Sequence, residues 1–166
     1  MPATYEKIGT TTLSSSQLSI LFTSIPGTFT DLRLVLVGIA NAITANALVT
    51  FNSDTGNNYS RTRVYGTGTT TGSSRTTAPF IHLTDYDGFS PTIPSLRTMD
   101  VFSYAGSTYK TCLTEENSDY NGSGSVVRSA QLWRSVSAIT SITITSDASY
   151  LFGAGTTATL YGIKGV

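Results

Sequence analysis

His82 is the single histidine of the 166-residue chain, so any hydrolysis that needs an imidazole base has to use it. Asp85, three positions on, could orient the ring, and one of the many serines could supply a nucleophile. In that arrangement imidazole takes the hydroxyl proton and the carboxylate steadies the imidazolium. Against this, His82 falls inside the apolar run Phe80-Ile81-His82-Leu83, where a histidine is more often packed and hydrogen-bonded, and the packed reading is preferred. Asp54-Thr55-Gly56 matches the tripeptide of aspartic proteases, but those enzymes need two such carboxylates sharing one proton. The chain holds one copy, preceded by Asn52 and Ser53, so a turn is the better reading. Asp85-Tyr86-Asp87-Gly88 sets alternate carboxylates before a glycine, as a calcium loop begins. The next acidic residue is Asp100, which leaves an Asx-turn preferred.

The remaining reactive groups read as structural. Glu115, Glu116 and Asp119 form a denser acidic cluster, and a solvated loop accounts for it. Cys112 is alone, which excludes an internal disulfide and a cysteine-based zinc cluster; between Thr111 and Leu113 it reads as a small buried apolar group. Gly66-Thr67-Gly68 is not followed by a helix whose N-terminus could hold a phosphate. Asn58-Tyr59-Ser60 and Asn121-Gly122-Ser123 fit the glycosylation sequon, which without an export signal is read as coincidence. Tyr59, Tyr65, Tyr86, Tyr104, Tyr109, Tyr120, Tyr150 and Trp133 could form platforms for sugar rings. Tyrosine also covers sheets and subunit interfaces, and the structural role is preferred.

Charged residues are 12% of the chain, against about 25% in an average soluble protein. Ser and Thr supply about 30%. Ten basic and ten acidic residues give zero net charge, so no global field draws the chain to nucleic acid or to an anionic membrane. The start Met1-Pro2-Ala3-Thr4-Tyr5-Glu6-Lys7 lacks the apolar core of a signal peptide, and no apolar run approaches the ~20 residues of a membrane span. A soluble protein made in a cytoplasm is expected, forming a single domain over 1–166 that holds by packing alone.

The elements that would position these residues are strands. Asp31 to Ile39 puts Leu32, Leu34 and Leu36 on one face and Val35 and Val37 on the other, which predicts a central strand buried on both sides. Around it, Tyr5–Leu13, Leu18–Phe22, Leu48–Phe51, Tyr59–Tyr65, Phe80–Leu83, Arg97–Tyr104, Tyr109–Thr114, Val126–Trp133, Ile139–Thr145 and Thr157–Ile163 read as strands. Asn52 to Asn58 is a dense turn signal. Residues 66–77, nearly all Gly, Ser and Thr, predict a loop that cannot anchor itself; residues 84–94 predict a long loop and Glu115 to Ser125 a polar one. Ten or eleven evenly spaced strands without an amphipathic helix indicate an antiparallel sandwich or barrel, with a jelly roll the favoured arrangement.

Tyr5-Glu6-Lys7-Ile8, the phrase from Phe51 through Asn52-Ser53-Asp54-Thr55-Gly56-Asn57-Asn58 to Tyr59-Ser60, and the ending Ala158-Thr159-Leu160-Tyr161-Gly162-Ile163-Lys164 resemble small β-rich structural proteins of tailed bacteriophages. The similarity is to cyanophage and marine phage virion proteins in particular, found as head decoration (cement) or tail-fibre components. The resemblance brings no active site. It implies a jelly-roll-like β-sandwich, often a homotrimer, incorporated into a virion after synthesis in the host cytoplasm. The expected role is structural and not enzymatic, without cofactor or metal. The expected partners are the major capsid protein, copies of the chain itself and other virion proteins. The alternative is a tail-fibre or receptor-binding tip protein that recognises host cell-surface glycans. Candidate contact residues are Met1, Pro2 and Tyr5 in a short arm of residues 1–5, Tyr65 beside the first long loop, Tyr86, Phe89 and Pro91 in the second, and Tyr120.

Overall fold

Leu32, Leu34 and Leu36 project from one side of an extended segment into the middle of the core. The computed structural model describes residues 4–42, 45–147 and 150–165. Among these lie twelve strands and no helix: β1 (Tyr5–Thr12), β2 (Ser19–Phe22), β3 (Asp31–Gly38), β4 (Ala47–Phe51), β5 (Tyr59–Gly66), β6 (Thr71–Ala78), β7 (Ile81–His82), β8 (Ser95–Phe102), β9 (Lys110–Asp119), β10 (Gly124–Trp133), β11 (Ile142–Ser146) and β12 (Thr157–Ile163). All pairings are antiparallel. The long sheet runs β1-β12-β3-β8-β9-β10-β5-β6 and the short one β2-β11-β4-β7. The chain is therefore all-β, with two sheets sharing one core.

Alternation assigns the faces. Ala47, Val49 and Phe51 of β4, Ile142 and Ile144 of β11, and Ile20 and Phe22 of β2 are buried in the same cluster as the β3 leucines, Met99 and Val101 of β8, and Ala158 and Leu160 of β12. Phe51, Tyr59 and Trp133 close one end, with ring centroids 5.5–6.2 Å apart. Early and late strands interleave: β12 lies between β1 and β3, and β11 between β2 and β4. The strands β9, β10, β5 and β6 continue the long sheet past β8, where the short sheet ends at β7.

Four expectations need correction. Residues 66–77 are mostly strand, not loop: a tight turn at Thr67–Thr70, with Gly68 at a φ of 84°, sends the chain back as β6 along β5. This is the twelfth strand, beyond the eleven segments read from apolar alternation. Glu115 to Ser125 is likewise not a loop, because β9 continues to Asp119 and β10 begins at Gly124. Only Tyr120 to Ser123 turns, around Asn121 and Gly122 at positive φ, with Tyr120 N–H donating to the Ser123 carbonyl at 2.7 Å. Third, β3 is buried on one face only: Arg33, Val35 and Val37 point outward and Val37 is exposed. Fourth, the segment read as a strand from Ile139 starts pairing at Ile142. The Asn52-Ser53 turn is as expected, both residues standing at positive φ with Asp54 N–H donating to the Phe51 carbonyl at 2.9 Å.

Candidate functional site

The inner face of the long sheet changes character along its width. Over β12, β3 and most of β8 it is apolar, but successive rungs then carry Arg97 and Glu116, Thr114, Ser129 and Arg63, and Gln131 and Arg61. Arg97, Thr114, Glu116, Ser129 and Gln131 are each buried. Polar groups there require partners, and the segment Thr84–Ser90 supplies them. Glu116 accepts backbone N–H bonds from Asp85, Tyr86 and Asp87 at 2.5–3.2 Å and a bond from Ser125 Oγ at 3.2 Å. Burial pushes its carboxyl upward; Arg97, 3.9 Å away, and the backbone donors oppose that. Arg97, fully buried, donates to the carbonyls of Asp87 and Asn117 and stacks over Phe89 at 4.8 Å. Tyr120 Oη donates to the Gly88 carbonyl at 2.5 Å. The segment is bolted to the sheet by Glu116, one of the three acidic residues expected in a solvated loop, whereas Glu115 pairs with Arg128 and Asp119 is exposed.

Asp85 is the second anchor. Arg61 Nη1 and Arg63 Nη1 both donate to its Oδ1, the latter at 3.0 Å, and Ser129 Oγ donates to Oδ2 at 3.1 Å. Arg63 also reaches the Asp85 carbonyl and, through Nε, Ser74 Oγ at 2.8 Å. Burial, with the neighbouring Arg63 charge, pulls Arg61 down to about 10. His82 Nδ1 is 4.0 Å from Asp85 Oδ1. Burial, then Arg61 and Arg63, push His82 down to about 4, so the ring is neutral near neutral pH. Its backbone is held on the free edge of β7 by one side chain: Gln131 Oε1 accepts from His82 N–H at 2.9 Å and Gln131 Nε2 donates to the His82 carbonyl at 2.6 Å. Gln131 thus stands where a further strand would pair.

These residues border a cleft of about 390 Å³, formed where β5 of the long sheet runs past the edge strand β7 of the short one. Asn46, Leu48, Phe80, His82 and Asp147 face Arg61, Arg63 and Asp85 across it. Phe80 meets His82 edge-on at 4.9 Å, and Asn46 Nδ2 donates to Asp147 Oδ2 at 2.8 Å. On the far side of Arg63, Tyr65 and Tyr86 stack at 4.5 Å, with the guanidinium 5.1 Å and 5.9 Å from their centroids. The structure brings His82, Asp85 and a serine together, but not in catalytic order. Ser129 donates to the carboxylate, not to the imidazole, and both arginines donate to Oδ1, the carboxylate oxygen nearer His82 Nδ1.

No protein family matches the chain, and neither a curated protein nor a solved structure matches it. The geometry therefore carries the functional argument. Asp54 organises its turn, accepting from Gly56 N–H, Asn58 Nδ2 and Trp133 Nε1; these bonds outweigh the burial that would raise its pKa and hold it low. Burial pushes the Cys112 thiol far up, as expected of an inert apolar group. Among the described residues no three of His, Cys, Asp and Glu cluster as metal ligands.

Of the contact residues, Met1 and Pro2 lie outside the described residues. Tyr5 and Tyr86 are exposed, Pro91 is exposed, and Tyr65 and Tyr120 are half-buried. Phe89 is fully buried against Phe152 and Arg97, so it serves this chain's own core. Trp133, Tyr59 and Tyr104 are likewise interior and form no platform. Sequence reasoning missed Arg61, Arg63, Phe80 and Asp147 as cleft residues, and Gln131 as the side chain that holds the His82 backbone. The available signal was Arg61-Thr62-Arg63, two arginines on one face of a strand whose inner side should have been apolar.

Proposed function

We propose that this chain is a structural virion protein of the tailed-phage type, a decoration (cement) protein that binds the outer surface of the head and reinforces it by protein–protein contact. We propose with it a jelly-roll core of eight strands. The orders β1-β12-β3-β8 and β2-β11-β4-β7 support that, with β5–β6 and β9–β10 as two inserted hairpins that widen one sheet. Jelly rolls recur in viral capsid and lectin domains, which is a fold-level analogy.

The observation that carries the proposal is the outer face of the long sheet. Val37, Leu96 and Val126 share one rung across β3, β8 and β10, with Asn117 between them, and Val64 stands on the next. These four side chains are 37–63% exposed. A row of apolar groups on a nearly uncharged surface suits contact with further subunits, here the capsid shell and copies of the chain in a homotrimer. The test compares particles with and without the protein. Loss of head integrity on heating or osmotic shock when it is missing supports decoration; unchanged heads with lost adsorption to cells overturn it.

A second reading, recognition of a cell-surface glycan, is favoured by one observation, the stack of half-buried Tyr65 on exposed Tyr86 beside the His82 cleft. Binding to a glycan array that falls away in Tyr65→Ala and Tyr86→Ala supports it, and a uniformly negative array removes it.

A further inference from the structure

The cleft between β5 and β7 has a definite chemical character, which the tyrosine pair beside it does not share. Two guanidiniums, Arg61 and Arg63, face two carboxylates, Asp85 and Asp147, so the site has no net charge. An anion entering it would meet Asp147 and a cation would meet Arg63. Asp85 is consumed by the two arginines and Ser129, whereas Asp147 receives only Asn46 among the described residues and keeps lone pairs free. Neither ring nitrogen of His82 has a hydrogen-bond partner among the described residues. Held neutral, the ring offers one donor and one acceptor, on nitrogens that point in different directions. A donor on one side and an acceptor on the other suit separate hydroxyl groups, each of which can give or accept a hydrogen bond.

The walls supply the complementary part. Phe80 and His82 meet with their planes 70° apart, forming a corner that Leu48, paired with His82 across β4 and β7, extends as an apolar surface. Such a corner fits the C–H face of a saturated ring, while the carboxylate, imidazole and guanidinium meet its hydroxyl edge. The volume of about 390 Å³ lies in the range of small-molecule sites, about 300–1,000 Å³.

We propose that the cleft bordered by Leu48, Phe80, His82, Arg63 and Asp147 is a subsite for a neutral pyranose residue of a glycan. The inference rests on the glycan-recognition reading and names the site and sugar class within it. The inserted hairpin β5–β6 supplies Arg61 and Arg63 to the site.

The experiment is saturation-transfer NMR on the full-length protein with glucose, galactose, mannose and N-acetylglucosamine as probes, and sialic acid as the charged control. It is repeated on Phe80→Ala, Asp147→Ala and the cleft-filling Leu48→Trp, each checked for an unchanged melting temperature. Leu48→Trp occupies the cleft without removing any hydrogen bond, so it keeps the test valid if a truncation fails to fold. The expected result is binding of at least one neutral sugar, weakened about tenfold or more, about 1.4 kcal/mol, in the cleft variants. Neutral-sugar binding that survives in the cleft variants but is lost in Tyr65→Ala and Tyr86→Ala overturns the subsite and leaves glycan recognition standing. Binding of sialic acid alone overturns the neutral-sugar assignment, and binding of no sugar overturns the subsite together with the reading it rests on.

Discussion

Two side chains, the buried Glu116 and the half-buried His82, carry opposite risks. Glu116 satisfies three backbone N–H groups of Asp85–Asp87 and lies against the fully buried Arg97. Removing one member of such a set leaves a charge and several donors unpaired, so Glu116→Ala should lower stability by about 3–5 kcal/mol in urea unfolding. Glu116→Gln, which keeps an acceptor oxygen, should cost less. His82 acts through protons. Its pKa falls from 6.5 to about 4 on folding, because burial and the two arginines disfavour the charged ring. A proton then binds the unfolded chain more readily, so this contribution to stability is intact above pH 6.5, declines as the pH drops towards 4 and changes no further below that. The full effect is on the order of 3 kcal/mol. The difference in urea midpoint between wild type and His82→Asn should therefore shrink between pH 7 and pH 4, and a difference that stays constant over that range would show that His82 titrates normally.

At the level of elements, what the sequence made legible was whatever depended on apolar alternation. The leucines of β3, the Ile142 and Ile144 pair of β11 and the Ile81 strand each bury one face against the core, and each was readable from period two. β6 was not, because an edge strand needs a neighbour's ladder and not a core: Thr71, Ser73, Arg75 and Thr77 face solvent and Gly72, Ser74 and Thr76 are only half-covered. The end of β9 was lost for a related reason. Thr114, Glu116, Ser125, Ser129 and Gln131 alternate inward, but they are polar, and their burial depends on partners arriving from elsewhere in the chain, Asp85–Asp87 for Glu116 and Ser129, and His82 for Gln131. The Asn121-Gly122 pair between them was the available hairpin signal. Two tests follow. Alternate amides of Thr71–Ala78, those directed at β5, should be protected in hydrogen exchange, whereas a loop would protect none. Gly124→Ala should destabilise by at least about 1–3 kcal/mol, since Gly124 has a φ of 154° and a Cβ there meets the Ser118 carbonyl. A neutral effect in thermal unfolding would mean that the β9–β10 hairpin is looser than described.

For the whole molecule, the uneven sheets decide how it can meet a partner. With only two layers, the outer face of the eight-stranded sheet is the broadest uncovered surface, and there the Val37, Leu96 and Val126 rung lies among threonines and a few mutually paired charges such as Arg33–Asp100 and Arg128–Glu115. With zero net charge the chain has little self-repulsion to keep copies apart. A standard interface takes about 800 Å² from each partner, roughly a tenth of the 8024 Å² this chain exposes, which one face of the long sheet can provide. Association through that rung has a distinctive salt response. Apolar contact is not screened and is strengthened by sulfate, whereas contact through the charged pairs would weaken as the Debye length contracts. Light scattering should therefore give three times the 17.6 kDa chain mass at low and high sodium sulfate alike. The Leu96→Lys, Val126→Lys double variant should run as a monomer that still unfolds cooperatively, because both side chains are already exposed in the free chain and only the stabilisation from association is lost. A trimer that dissolves in salt but survives the double variant would move the interface to the charged pairs, and a wild type that stays monomeric at every concentration would remove the homotrimer altogether.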